Sequence, residues 1–141
     1  NPYFSTNHPL EPINKKKKKH KKSKYQSPEY IIVFDDLSGQ LQSKSIIELI
    51  QQNRHFLTKI IISSQYPNDL AKPSRKNIDV WMCFKGFTDE KLKLIYDDMD
   101  VSVSYEEFVK MYLDAITPTK KNPRPFFYCD IRNDDFRISF N

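Results

Sequence analysis

The chain has 141 residues, 38% of them hydrophobic and 29% charged, which suits one globular domain and excludes two. It contains only two glycines, Gly39 and Gly86. A phosphate-binding loop of the form G-x-x-x-x-G-K-[ST] needs two glycines five positions apart, and a G-x-G-x-x-G dinucleotide motif needs three close together. Neither motif is present in these 141 residues, so any nucleotide chemistry must come from elements that need no glycine.

The positive charge is concentrated in one segment. The formal net charge is +5, and residues 15–24 hold eight of the 23 basic residues. Without those eight lysines, 15 basic residues face 18 acidic ones, a net charge of −3. A block of like charge stays solvated, and four prolines lie in the same region, so residues 1–28 are predicted to be a flexible Lys-rich arm or insertion. Two roles stay open for it: a flexible linker, or a nucleic-acid tether that acts through counterion release.

Cysteine usage points to a reducing compartment. Cys83 and Cys129 lie inside apolar stretches, where we expect buried free thiols. The three histidines are scattered, and no Cys/His spacing suits zinc. No apolar run approaches the roughly 20 residues of a membrane span, so we expect no membrane partner.

The predicted elements begin with a strand over 30–34, Tyr-Ile-Ile-Val-Phe. Its unbroken β-branched and aromatic run is typical of a strand buried on both faces of a parallel sheet. Ser45, with Glu48 three residues on, predicts the N-cap of a helix that ends near residue 53. Residues 59–64 and 80–84 predict a second and a third strand.

Two helices and a hairpin follow. Thr88 is predicted to cap a helix that ends near residue 97, and Ser104 with Glu107 predicts a capping box for another that ends near residue 115. After a proline-rich turn, residues 126–140 alternate about a polar centre, which predicts a β-hairpin. Strands alternating with helices indicate an α/β domain with a largely parallel sheet and a C-terminal β-hairpin.

The first strand ends in two acids, Asp35 and Asp36. Ligands of parallel sheets bind beyond the carboxyl ends of the strands, so these side chains are candidates for chemistry. In the Walker B element of P-loop ATPases, the first acid after a buried strand holds Mg²⁺ and the second orients or deprotonates the attacking water. An acidic strand end without any nucleotide role stays open at this point.

Two further polar residues flank the second strand. Gln65 follows it, where an amide either contacts a γ-phosphate or the attacking water, or satisfies loop backbone groups. Arg54 precedes it at a helix end, where a guanidinium either neutralises transition-state charge across a subunit boundary or complements the helix dipole. Near the hairpin, three arginines either face DNA or protect an edge strand: Arg124, Arg132 and Arg137.

Four motifs in order carry a family resemblance: Ile-Ile-Val-Phe-Asp-Asp-Leu, Arg-His-Phe, Ile-Ile-Ser-Ser-Gln and Pro-Ser-Arg-Lys-Asn. Together they resemble the FtsK–HerA class of P-loop ATPases and, more closely, the genome-packaging ATPases of large DNA viruses and virophages. The resemblance covers about residues 29–100. It implies a partial RecA-like P-loop NTPase core.

The resemblance also implies roles for the candidate residues. Asp35 would coordinate Mg²⁺, Asp36 would be the catalytic acid, and Gln65 would be a sensor-like polar residue. Arg54 is the first candidate, and Arg75 the second, for an arginine finger that acts on a neighbour's nucleotide. Asp36 departs from the glutamate that is more usual at the second acidic position. Its shorter side chain would need the attacking water to lie closer, so the resemblance supports the metal role of Asp35 more strongly than the general-base role of Asp36.

The function implied is that of a subunit in a homo-oligomeric ring that hydrolyses Mg²⁺-ATP and moves double-stranded DNA into a capsid. A capsid or portal protein is a further partner, and the expected location is the virus factory or virion, in a reducing intracellular setting. Such ATPases carry their phosphate loop upstream of Walker B. Residues 29–141 are therefore expected to be the C-terminal part of an ATPase domain that is inactive alone.

Two alternatives remain at this level. One is a non-catalytic DNA-binding or assembly module derived from an ATPase, which the missing phosphate loop and the lysine segment favour. The other is another RecA-like enzyme such as a helicase, because Walker B and a polar sensor are shared across that class.

Overall fold

The structure, a computed structural model, describes residues 30–140. The predicted flexible arm at residues 1–28 lies outside the described residues. No helix in the described part is long and apolar enough to span a membrane. Its strands and α-helices are β1 (Tyr30–Asp35), α1 (Lys44–Gln52), β2 (Thr58–Ser63), α2 (Lys72–Arg75), β3 (Val80–Phe84), α3 (Asp89–Asp98), α4 (Tyr105–Ala115), β4 (Phe126–Asp130) and β5 (Asp135–Ile138).

These strands form two sheets, which confirms the predicted α/β class. β1 and β2 pair in parallel, joined by the α1 crossover, with Asp35 beside Ser63 at their carboxyl ends. β3, β4 and β5 form an antiparallel sheet, so the parallel arrangement covers β1 and β2 and does not extend to β3. β3 pairs with the predicted hairpin because both edges are apolar and aromatic, as in the Phe84–Phe126 ring contact at 5.1 Å.

β1 is covered on one face only in the described chain, which corrects the prediction of a strand buried on both faces. Phe34 packs with the core cluster that α1 covers, built around Leu41 and Ile50. On the opposite face Ile31 and Val33 are 63% and 60% exposed. One crossover helix can cover only one face of a two-stranded sheet, so the alternate residues stay open to solvent.

The N-terminus of α1 also differs from the prediction. Ser43, not Ser45, is its N-cap, and no side-chain hydrogen bond caps the helix. The Ile47 amide donates to the Ser43 carbonyl at 3.1 Å, so the helical turn starts two residues early. Glu48 then lies one turn from Lys44 and forms an ion pair with it at 3.8 Å instead of a capping box.

The larger core lies between the antiparallel sheet and α3 and α4. Phe108 and Tyr112 of α4 are buried against Phe127 of β4, which places these aromatic side chains in the core. Cys83 and Cys129 lie in the same cluster as buried free thiols, as predicted. The predicted caps of the two helices are also confirmed: Thr88 accepts from the Lys91 amide, and Ser104 forms a full capping box with Glu107.

Candidate active site

The carboxyl ends of β1 and β2 bring three of the predicted site residues to one edge. Asp35 lies in register beside Ser63, and the amide of Asp36 donates to the Ser63 carbonyl at 3.1 Å. This bond extends the parallel ladder by one residue beyond β1. Gln65 follows two residues after Ser63, and it is exposed, as are Asp35 and Asp36.

Asp36 marks the point where the backbone leaves the sheet. Its φ is 51°, in the left-handed region that few residues other than glycine adopt and that aspartate tolerates better than most. The next residues turn at once, and the Leu41 amide donates to the Leu37 carbonyl at 3.2 Å. Since Leu41 is only 1% exposed, the acidic pair is fixed between a hydrogen-bonded strand and an anchored turn.

The loop that carries Gln65 is closed by its own polar groups. The Ser64 hydroxyl accepts from the Tyr66 amide at 3.3 Å and is hydrogen-bonded to the carboxylate of Asp69. A 3₁₀ turn, Pro67–Asp69, follows directly. Gln65 therefore lies in a loop held on both sides. The Ser64–Asp69 contact cannot be predicted from the sequence, because a five-residue separation in a loop has no periodic signal.

Arg75 of α2 contacts the end of the same loop. Its Nη1 donates to the Leu70 carbonyl at 2.7 Å and lies 3.5 Å from Asn68 Oδ1, while its Nε donates to Asp98 Oδ2 at 2.5 Å. The side chains of Arg75 and Asp98 are only 7% and 3% exposed. These contacts use the guanidinium inside the chain, which favours Arg54 over Arg75 as the candidate arginine finger.

Arg54 is not brought to the acidic edge. It lies in the turn between α1 and β2, at the opposite end of β2, and its side chain is 73% exposed. Six residues of strand at about 3.3 Å each separate that end from Ser63 by roughly 16 Å. Its Nη2 lies 3.6 Å from Asp79 Oδ1, and Asp79 also accepts from Arg132 Nε at 2.6 Å. The sequence does not point to Asp79, since it lies 25 positions from Arg54 in an irregular segment.

The donor set at the edge suits a hard divalent cation. Asp35 and Asp36 supply carboxylate oxygens, the ligand type that Mg²⁺ prefers. Within residues 30–140, no group of three or more His, Cys, Asp or Glu side chains could hold a metal ion. Mg²⁺ commonly binds through one or two carboxylates, with water and substrate phosphates completing the shell, so the two acids fit this mode.

Comparison with solved structures defines the class of fold. The chain is similar to B204, the DNA-packaging ATPase from Sulfolobus turreted icosahedral virus, with a TM-score of 0.59 and 20% identity over 77% of this chain and 50% of that one. The genome-packaging NTPase B204 from Sulfolobus turreted icosahedral virus 2, solved with ATP-γ-S, matches at a TM-score of 0.58, 20% identity and the same coverage. The fold is thus shared with about half of each of these packaging ATPases, in agreement with the class that the sequence motifs resemble.

The family follows from the sequence itself. The model of the poxvirus A32 protein family matches residues 4–133, so the chain belongs to that family. The match reaches well beyond the 29–100 region on which the motif resemblance rests. No curated protein sequence gives a significant match. The chain spans about half the length of the solved structures that it matches.

Proposed function

We propose that this chain is part of an ATP-hydrolysing motor subunit that packages double-stranded viral DNA. The observation that carries the proposal is the carboxyl edge of β1 and β2, where Asp35 and Asp36 lie beside Ser63 and Gln65 follows in a braced loop. The fold shared with DNA-packaging ATPases supports it. The site acts within virus assembly in the infected cell, in a ring of identical subunits beside a capsid or portal protein.

Each residue at the edge has a chemical role in this proposal. Asp35, fixed at the end of a paired strand, would hold Mg²⁺, which when bound would supply positive charge to stabilise the phosphate oxygens of ATP. Asp36 orients the attacking water and accepts its proton. Gln65 offers both a donor and an acceptor, and a neutral amide in a braced loop can hold the water or a γ-phosphate oxygen without competing for the proton.

The test of Asp36 uses the complete natural protein, because the proposal requires a phosphate loop that these 141 residues lack. Asp36→Asn keeps the shape and removes the base, so we expect ATP turnover to fall by roughly 10²–10⁴-fold with little change in nucleotide affinity. Asp100→Asn, the same change at an exposed aspartate outside the edge, is the matched control. Turnover unchanged in Asp36→Asn would refute the role.

The phosphate loop itself gives a test that needs no protein. The proposal expects a G-x-x-x-x-G-K-[ST] motif in the coding sequence upstream of residue 1, because backbone amides and a lysine must cradle the β- and γ-phosphates. Finding an open upstream frame of adequate length without that motif would contradict the motor function.

Arg54 is assigned to a neighbouring subunit's nucleotide, because it precedes β2, which spans roughly 16 Å from that end to the acidic edge. Mixing experiments test this in the complete protein. Arg54→Ala subunits have an intact acidic edge, and Asp36→Asn subunits have an intact arginine, so mixed rings restore some activity that neither variant shows alone. Absence of any restored turnover in mixed rings, with assembly intact, contradicts a role in trans.

A non-catalytic DNA-binding or assembly module is the second candidate function, favoured by the absence of a phosphate loop and by the lysine segment. It predicts salt-sensitive DNA binding and no ATP hydrolysis by the complete protein. ATP hydrolysis that Asp36→Asn abolishes rules it out.

A helicase is distinguished from a packaging motor by comparing strand separation with translocation along intact duplex DNA.

A further inference from the structure

The loop between α4 and β4 has an unusual composition. Residues 117–125, Thr-Pro-Thr-Lys-Lys-Asn-Pro-Arg-Pro, contain three basic residues, three prolines and no acid. Outside the lysine segment 15–24, the chain has 15 basic and 18 acidic residues, and this count includes the loop. That part of the chain therefore carries a net negative charge. The basic loop therefore contrasts with the surface that carries it. We call residues 117–125 the basic loop.

Hydrogen bonds fix the tip of the basic loop. The Thr119 amide donates to the Asn122 carbonyl at 2.9 Å, and the Asn122 amide donates back to Thr119 Oγ1 at 3.0 Å. Asn122 Nδ2 donates to Ser139 Oγ at 2.9 Å, which ties the turn to the residues after β5. Lys120 and Lys121 thus occupy the tip of a closed turn, and little backbone entropy remains to be lost on binding.

Within the described part of the chain, the cations of the basic loop have no ion-pair partners. Of the five arginines in that part, four pair with carboxylates: Arg54, Arg75, Arg132 and Arg137. Arg124 is the exception among residues 30–140, and Lys120 and Lys121 also form no ion pair with any described acid. All three side chains are exposed. An unpaired cation gains more from a phosphate than one that must first leave a carboxylate.

An open cleft of about 630 Å³ lies beside the basic loop, between it and β5. The Thr119 hydroxyl on its wall accepts from the Asn122 amide and keeps its proton to donate to a phosphate or sugar oxygen, whereas the Thr117 hydroxyl already donates to the Leu113 carbonyl at 2.9 Å. Asp114 also lines the cleft and repels anions, so we assign the phosphate to the part of the lining that Lys121 contributes. The polar and charged residues of its lining are Asp114, Thr117, Thr119, Lys121, Asn122 and Arg137.

We propose that the basic loop is a contact surface for the sugar–phosphate backbone of double-stranded DNA, with Lys120, Lys121 and Arg124 each facing a phosphate. The choice of DNA rests on the proposed packaging function, while the location rests on the charge and geometry of the loop. Phosphate contacts carry no base information, which suits a motor that must move along any sequence.

The test measures duplex DNA binding by the full 141-residue chain without nucleotide, by fluorescence anisotropy over a series of salt concentrations. It is run with the natural lysine segment and again with its eight lysines replaced by glutamine, so that this segment does not mask the loop. A matched control removes three exposed lysines elsewhere. The loop variant is Lys120→Gln/Lys121→Gln/Arg124→Gln, and the control is Lys72→Gln/Lys76→Gln/Lys110→Gln.

We expect the loop variant to weaken binding by at least about tenfold and to reduce the slope of log Kobs against log salt by about 0.9 for each phosphate that the variant no longer neutralises. The control has the same net charge and is expected to change affinity by less than about twofold. Equal effects in both variants, or none in either, overturn the proposal. Thermal melting confirms that both fold, and Arg124→Gln alone supplies a milder variant with the same expected direction.

The proposed nucleotide chemistry and the proposed DNA surface are tested by independent experiments, so one proposal can be refuted without the other. The binding assay contains no nucleotide, so a negative result leaves the roles of Asp35 and Asp36 untouched. Loss of ATP turnover in Asp36→Asn would likewise leave the DNA affinity of the basic loop unchanged. A loop variant that binds duplex DNA as tightly as the natural chain overturns the DNA assignment whatever its ATPase result.

Discussion

The guanidinium of Arg75 donates from Nε to Asp98 Oδ2 at 2.5 Å, and this buried ion pair joins the end of α3 to α2. The same guanidinium donates to the Leu70 carbonyl at 2.7 Å. Leu70 belongs to the small core cluster under β1 and β2, whereas α3 packs on the antiparallel sheet. One arginine thus connects the two sheets of the fold and braces the segment that carries Gln65.

Breaking this pair is expected to be costly. Arg75→Ala leaves the carboxylate of Asp98 buried without its partner, and removal of one member of a buried ion pair typically costs about 3–5 kcal/mol of unfolding free energy. The measurement is urea denaturation of the chain. Removing both charges, in Arg75→Met/Asp98→Leu, is expected to cost less than the single substitution. An equal or larger cost in the double variant would show that the pairing is not what stabilises this junction.

The caps of α1 and α4 offer a matched comparison. Ser104 accepts from the Glu107 amide and completes a capping box, so Ser104→Ala is expected to lower the unfolding free energy by about 1 kcal/mol. Ser43 is the N-cap of α1 but makes no side-chain hydrogen bond, and Ser43→Ala is expected to cost much less. Chemical denaturation of the two variants side by side measures the difference. Equal costs would contradict the assignment of the caps.

The features that depend on local pattern can be predicted from the sequence. β3 and the caps of α3 and α4 agree with prediction because side-chain type and spacing determine them within a few residues. Ser45 has the right spacing to Glu48 for a capping box, yet α1 begins after Ser43 because of the turn that follows β1. A spacing rule does not predict the effect of that turn. The exposed face of β1 is also not predicted, because it depends on which elements pack against the strand. A continuous apolar run does not tell how many faces are covered.

The site residues divide in the same way. Asp35, Asp36 and Gln65 can be recognised because strand ends are visible in the sequence, and parallel pairing then places them at one edge. The contacts that surround them are long-range: Arg75 with Asp98 and Arg54 with Asp79 join residues more than twenty positions apart. Such pairs leave no periodic trace in a single sequence. The catalytic roles of the edge residues stay predictions until activity is measured.

The two buried thiols give a prediction about reactivity. A side-chain hydrogen bond with Cys83 that holds the proton on the Cys129 thiol, together with burial, raises the pKa of Cys129 well above its usual range. The thiol therefore stays protonated, and unreactive, at mildly alkaline pH. We expect neither cysteine to react with a thiol reagent in the native chain and both to react in denaturant. Rapid labelling of either cysteine in the native protein would contradict the packing.

Tyr105 links the starts of α3 and α4, since its hydroxyl donates to Asp89 Oδ1 at 2.7 Å. Burial first, and then this hydrogen bond, raises the pKa of Tyr105 from 10.0 to about 12. The folded state thus favours the protonated phenol, so its contribution to stability is complete below pH 10 and is lost as the pH rises through about 12. Unfolding free energies measured between about pH 9 and 12 should fall more steeply for the natural chain than for Tyr105→Phe. Parallel curves would exclude this linkage.

The last prediction concerns nucleotide binding by these 141 residues alone. In the proposal, Asp35, Asp36 and Gln65 hold a cation and a water at one edge, but the 141 residues contain no G-x-x-x-x-G-K-[ST] motif to hold the β- and γ-phosphates. We therefore expect no tight ATP binding and no turnover, measured by titration calorimetry with Mg²⁺-ATP and by phosphate release. Asp35→Ala/Asp36→Ala is the control for weak binding at the edge. Micromolar affinity that this double variant abolishes would show that the edge binds nucleotide without a phosphate loop, contrary to the proposal.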